Sequence, residues 1–72
     1  MTTQEFRFVT DCDVETIVEY LMTDHSISAI EAFRTIYESR IYAKLEDPKT
    51  GLYLQSPAYI YEYLREELAS TK

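Results

Sequence analysis

The 72-residue chain has a net charge of −6, is 46% hydrophobic and contains one cysteine, which excludes a disordered chain and an intrachain disulfide. A domain of this size buries only about 60% of the surface that its unfolded chain exposes, so we expect a small core supplemented by association. The acidic balance suits a basic partner surface better than nucleic acid phosphates. We therefore expect residues 1–72 to form a single helical domain.

The first predicted element is an amphipathic helix that ends near Asp24. Two interpretations of its start stay open. One long helix begins near Thr3 and shows different faces to different neighbours, or the helix restarts near Asp11, whose side chain would cap it. The apolar stripe that recurs at the helical period consists of Val14, Ile17, Val18 and Leu21.

The second predicted helix begins after Ser28, the N-cap residue of a capping box that Glu31 completes three residues later. Its predicted buried face consists of Ala29, Phe33, Ile36 and Tyr37.

The stretch from residue 40 to residue 55 fits two structures. One is a short third helix over residues 40–46, a DPKTG turn at residues 47–51 and an extended LYLQ segment at residues 52–55. The other is a β-hairpin across the same turn, because the apolar residues on both sides also alternate. An isolated two-stranded hairpin is marginally stable, so we favour the short helix.

The last predicted helix runs from Pro57 to about Ala69, with Ser56 as its N-cap and proline at its first position. The sequence thus predicts an all-α fold, a small bundle of three to four helices with one extended segment before the last. The residues that share the buried face of the last helix are Ile60, Tyr61, Leu64 and Leu68.

Tyr59 and Tyr63 lie one turn apart on the last helix and outside its buried face. Tyrosine combines a large contact area with a hydroxyl group, a chemistry that is enriched at protein interfaces. These two tyrosines are the predicted anchors for another protein or a second copy of the chain, which would make a homodimer. In the alternative, the LYLQ segment or Phe6 and Phe8 fold over them.

The negative charge is concentrated in the first 31 residues, where we expect acids on the first helix to steer a basic partner. The predicted steering residues are Asp11, Asp13, Glu15 and Glu19. The alternative function is that of a nucleic-acid-binding regulator, with a helix pair from Ser28 to Leu45 presenting its bases to phosphates. Those bases are Arg34, Arg40, Lys44 and Lys49.

No residue pattern predicts catalytic, cofactor or metal chemistry, so we expect a protein that is not an enzyme. Cys12 and His25 are the lone representatives of their types, and thirteen residues of continuous helix would separate them by roughly 20 Å. A single glycine excludes a glycine-rich phosphate loop. One cysteine, no signal-peptide pattern and no long apolar run together predict a cytoplasmic location.

Three stretches carry a family resemblance: FRFVTDC, AFRTIYESRIYAKL and GLYLQSPAYIYEYL. In their aromatic and aliphatic spacing they resemble small, mostly helical, uncharacterised bacterial proteins. Some of those proteins resemble antitoxin-like companions of a toxin or of an ADP-ribosyltransferase-like partner. The resemblance implies a non-enzymatic, partner-binding role and supplies no catalytic residues.

Overall fold

The computed structural model describes residues 2–70, which form four α-helices and two 3₁₀ turns. The helices are α1 (Thr3–His25), α2 (Ala29–Tyr37), α3 (Arg40–Leu45) and α4 (Pro57–Ser70). The first 3₁₀ turn is Pro48–Thr50 and the second is Leu52–Leu54. Because residues 2–70 contain no β-strand, the predicted all-α class is confirmed and the hairpin alternative is wrong.

Helix α1 is continuous over 23 residues, so the interpretation in which it restarts near Asp11 is wrong. A capping box starts the helix: the Thr2 hydroxyl accepts the Glu5 N–H at 3.1 Å, and Glu5 Oε1 accepts the Thr2 N–H at 3.2 Å. The helix ends at Ser26, whose φ of 53° places it in the left-handed conformation of a helix C-cap.

The core runs along α1, which packs on α2 with one flank and on α4 and the second 3₁₀ turn with the other. The predicted apolar stripe of α1 is buried between these neighbours. All four helices contribute to this one core, and its members are Val14, Ile17, Val18, Leu21, Ala32, Ile36, Leu45, Ile60, Tyr61 and Leu64.

Helix α2 begins where the sequence predicts, because the Ser28 hydroxyl accepts the Glu31 N–H at 3.2 Å. Its buried face differs from the prediction: Ala32 and Ile36 are buried, whereas Ala29 and Tyr37 are exposed. Ala32 has no exposed surface, and a small side chain at a helix contact lets the two backbones approach closely. Ala32 is therefore suited to a close contact between α2 and α1, which pack on each other.

The LYLQ segment is helical rather than extended, which corrects the prediction for residues 52–55. Gly51 takes a positive φ of 70° and starts the second 3₁₀ turn, in which the Leu54 N–H donates to the Gly51 carbonyl at 3.0 Å. The Thr50 hydroxyl ties the preceding turn to α3 by donating to the Lys44 carbonyl at 2.6 Å. Because successive backbone carbonyls accept local N–H donors, residues 52–54 form a 3₁₀ turn, and the chain is extended at Gln55.

Helix α4 is joined to α1 by a buried tyrosine. The Tyr61 hydroxyl donates to Asp24 Oδ2 at 2.6 Å, and its ring lies 5.2 Å from the ring of Tyr20. Burial, together with the hydrogen bond to Asp24, raises the pKa of Tyr61 to about 12. The contact satisfies the polar tip of a side chain whose ring belongs to the core.

Helix α3 has only six residues, and two side chains accept hydrogen bonds from the backbone of its first turn: the N-cap Ser39 and Glu67 of α4. The Ser39 hydroxyl accepts the Tyr42 N–H at 3.1 Å, which is an ordinary N-cap. From α4, the carboxylate of Glu67 accepts the backbone N–H groups of Arg40 at 2.9 Å and Ile41 at 3.1 Å. The first two backbone N–H groups of α3 are thus satisfied by a residue 27 and 26 positions away along the chain.

We expect Glu67→Ala to lower the free energy of unfolding by about 1–2 kcal/mol, because it leaves two helix N–H groups of α3 without their carboxylate acceptor. Urea unfolding followed by circular dichroism measures the change. The matched control is Glu66→Ala, an exposed neighbour on the same turn, which should stay within about 0.5 kcal/mol of the parent protein. Equal effects of the two variants would contradict a capping role for Glu67.

Candidate functional site

Tyr59 and Tyr63 stand exposed on α4, with 49% and 41% of their surfaces accessible. Their rings meet edge to face, with centroids 5.1 Å apart and an interplanar angle of 74°, and their hydroxyl oxygens are 3.0 Å apart. The hydrogen bond to Tyr59 raises the pKa of Tyr63, and the nearby Glu66 carboxylate adds to this effect. The two side chains therefore form one continuous aromatic unit, which we call the tyrosine surface.

A shallow depression of about 390 Å³ adjoins the tyrosine surface at Tyr63. Its other walls come from α3 and the two 3₁₀ turns, namely Ile41, Lys44, Thr50 and Leu52. The surroundings of Tyr63 thus combine apolar side chains with the Lys44 cation and the Glu66 anion.

The N-terminal phenylalanines do not cover the tyrosine surface. Phe6 packs edge to face on Tyr53, with ring centroids 4.8 Å apart and planes at 81°. Phe8 is 70% exposed. The alternative in which these two residues fold over Tyr59 and Tyr63 is therefore wrong, and Leu52 of the LYLQ segment flanks Tyr63 in the depression without burying it.

The predicted steering acids separate into two groups. Asp11, Glu15 and Glu19 are exposed on α1, whereas Asp13 is only 6% exposed and does not belong to the acidic surface. Asp13 lies seven residues from both Phe6 and Tyr20, which contact the second 3₁₀ turn and α4. Residues seven apart share a helix face, so Asp13 is placed on the flank of α1 that these elements cover.

Asp13 is a buried carboxyl group whose Oδ2 has no hydrogen-bond partner among residues 2–70. Burial raises its pKa to about 6, because removal from water disfavours the charged form. The prediction that Asp13 is an exposed steering acid was wrong. It followed from the usual exposure of aspartate, but the packing of α4 and the second 3₁₀ turn determines which flank of α1 is covered.

A second cavity lies between α1, α2 and α3, and its volume is about 130 Å³. The rings of Phe33 and Tyr37 stack at 5.8 Å, and Tyr42 meets Tyr37 edge to face at 4.8 Å. Two of the predicted steering acids, Asp11 and Glu15, line the same cavity. We call it the aromatic pocket. Sequence reasoning missed it because it assigned Phe33 and Tyr37 to the core, although their spacing of four residues does predict that they share a face.

The basic residues of the alternative function are exposed. Lys44 lies in the depression beside Tyr63, and the remaining bases are Arg34, Arg40 and Lys49. Cys12 and His25 lie on one continuous helix, as far apart as the sequence indicates. In the part of the chain that the structure describes, no three His, Cys, Asp or Glu side chains are grouped as a metal ion would require.

No protein-family model, curated protein or solved structure matches this chain. None of the helices within residues 2–70 has both the length and the apolar composition needed to cross a membrane. The resemblance to antitoxin-like companions stays a prediction.

We expect Asp13→Asn to stabilise the fold at neutral pH. Burial raises the folded-state pKa of Asp13 above its ordinary value, so the folded state binds the carboxyl proton more readily than the unfolded state does. The free energy of unfolding therefore falls as the pH rises from about 4 to about 6. The variant removes this loss, so its free energy of unfolding should exceed that of the parent protein by about 2 kcal/mol at pH 7 and approach it near pH 4.

Urea unfolding across this pH range measures the effect. The matched control is Asp11→Asn, which changes an exposed carboxylate on the same helix and should show no comparable gain at neutral pH. A variant Asp13→Asn that is less stable than the parent protein at every pH would contradict the assignment.

Proposed function

We propose that this protein is a non-enzymatic protein–protein interaction module that associates with itself through the tyrosine surface and binds a basic partner through the acids of α1. The observation that carries the proposal is the exposure of Tyr59 and Tyr63 in a fixed mutual geometry. Adjacent large aromatic side chains that the core of their own chain leaves open are typical of interaction sites.

The tyrosine surface is suited to binding because its two side chains already contact each other in the free chain. Each ring restricts the other, and the 3.0 Å contact between the hydroxyl oxygens fixes both polar tips. Binding then costs less side-chain entropy than it would for two independent tyrosines. Each hydroxyl also keeps further capacity to bond to a partner.

A second copy of the chain fits this surface because both signs of charge flank it. Lys44 lies in the depression beside Tyr63, and Glu66 lies close enough to Tyr63 to raise its pKa. In a two-fold interface each patch faces its own copy, so a cation on one chain meets an anion on the other. Such a dimer also supplements the small core of a 72-residue chain.

The basic partner binds elsewhere, on the exposed acids Asp11, Glu15 and Glu19 of α1. The aromatic pocket, which Asp11 and Glu15 line, shares no wall residue with the depression beside Tyr63. A dimer and a complex with a basic protein are therefore compatible. The resemblance to antitoxin-like companions supports a regulatory role for such a complex.

We expect the double variant Tyr59→Ala, Tyr63→Ala to weaken self-association at least about tenfold, because it removes the central apolar anchors of the interface. Light scattering over a concentration series, at low and high salt, measures the mass of the parent protein and of the variant. The helical circular dichroism signal should stay the same, since both side chains lie outside the core.

The control variant is Ile30→Ala, which removes an exposed apolar side chain of α2 and should leave the mass unchanged. A parent protein that is monomeric at all concentrations would overturn the proposed self-association. A double variant that loses its helicity would show that the tyrosines support the fold rather than an interface.

A further inference from the structure

Three aromatic side chains, Phe33, Tyr37 and Tyr42, line the aromatic pocket. Tyr37 lies between Phe33, which stacks on it at 25°, and Tyr42, which meets it at 77°. Despite these two contacts Tyr37 remains 53% exposed, so its ring is accessible to a ligand. Aromatic faces carry partial negative charge and attract cations that come within about 6 Å of the ring centre.

Three carboxylates surround the same space: Asp11 and Glu15 on α1, and Glu46 directly after α3. None of them has an ion-pair partner among residues 2–70, and no basic residue lines the pocket. Tyr37 is also the last residue of α2, where the helix dipole favours positive charge. Three independent sources of negative potential thus converge on one cavity.

Glu46 is held at the pocket by Tyr42. The Tyr42 hydroxyl donates to Glu46 Oε1 at 2.7 Å, which leaves the second carboxylate oxygen for a ligand. The same hydrogen bond raises the pKa of Tyr42 to about 12, aided by burial and by the charges of Glu46 and Asp11. Asp11 on α1 and Glu46 directly after α3 therefore act on the same tyrosine.

We propose that the aromatic pocket binds the guanidinium group of an arginine side chain from a protein partner, an inference that rests on the proposed function and names its partner chemistry. A planar guanidinium stacks on an aromatic face and donates two parallel hydrogen bonds to a carboxylate. The volume of about 130 Å³ admits such a head group with part of its aliphatic stem. Lysine presents a compact, strongly hydrated charge and uses aromatic walls less well.

The test is a titration of the ¹⁵N-labelled protein with N-acetylarginine amide, followed by nuclear magnetic resonance. We expect a dissociation constant on the order of 1 mM, as for other ligands of this size. The shifted amide signals should belong to the walls of the pocket, in α1 near Asp11, in α2 near Tyr37 and in α3 near Tyr42. N-acetylcitrulline amide, which has almost the same shape without the charge, should cause no comparable shifts.

Two variants assign the binding to the pocket. Tyr37→Leu should weaken it about tenfold through the loss of the cation–π contact. The double variant Asp11→Asn, Glu15→Gln should weaken it by a similar factor and reduce its salt dependence. All three side chains are exposed, so both variants should keep the helical signal of the parent protein.

The outcomes separate this inference from the proposed self-association. No shifts, shifts confined to other surfaces, or equal shifts with the citrulline ligand would overturn the arginine site while leaving any dimer in place. The variant Tyr59→Ala, Tyr63→Ala should bind the arginine ligand as the parent protein does. Arginine binding by a protein that stays monomeric would support the pocket and overturn the self-association alone.

Discussion

The structure depends on the continuity of α1 over 23 residues. One uninterrupted helix offers two flanks at once, so α2 packs on one side while α4 and the second 3₁₀ turn pack on the other. A capping box at Thr2 starts the helix, and Ser26 in the left-handed conformation ends it. A break in the helix near Asp11 would change the orientation of Phe6 relative to the apolar stripe that begins at Val14. Phe6 could then no longer contact Tyr53 while that stripe packs in the core.

Helix α3 separates the two proposed binding surfaces. Ile41 and Lys44 face the depression beside Tyr63, whereas Tyr42 faces the aromatic pocket. A six-residue helix has little stability of its own, so its position depends on the carboxylate of Glu67 on α4 and on the N-cap Ser39. Glu67 lies on the same helix as the tyrosine surface, and it therefore links the placement of α3, and with it both surfaces, to α4.

Asp13 shows that this small core is not optimised for stability. A buried carboxylate without a hydrogen-bond partner for Oδ2 destabilises the folded state at neutral pH, and the domain has few apolar contacts with which to offset that cost. The exposed acids of α1 have the opposite character, because they keep their hydration and give the surface its negative potential. An acidic residue of α1 therefore lowers the stability of the fold when it lies on the covered flank, and contributes surface charge when it lies on the exposed one.

The sequence by itself determined the features that depend on residues within a few positions of one another. Caps at Ser28 and Ser56, the glycine turn at Gly51 and the exclusion of Tyr59 and Tyr63 from the buried face of α4 all follow from local geometry. Only the tertiary structure decided which flanks are covered, because helical periodicity describes one helix and contains no information about its neighbours. In the folded chain Ala32 and Asp13 are buried, whereas Tyr37 is exposed and lines one pocket with Asp11. The aromatic pocket was therefore beyond the reach of sequence patterns, since its walls come from three helices whose relative placement is set by packing.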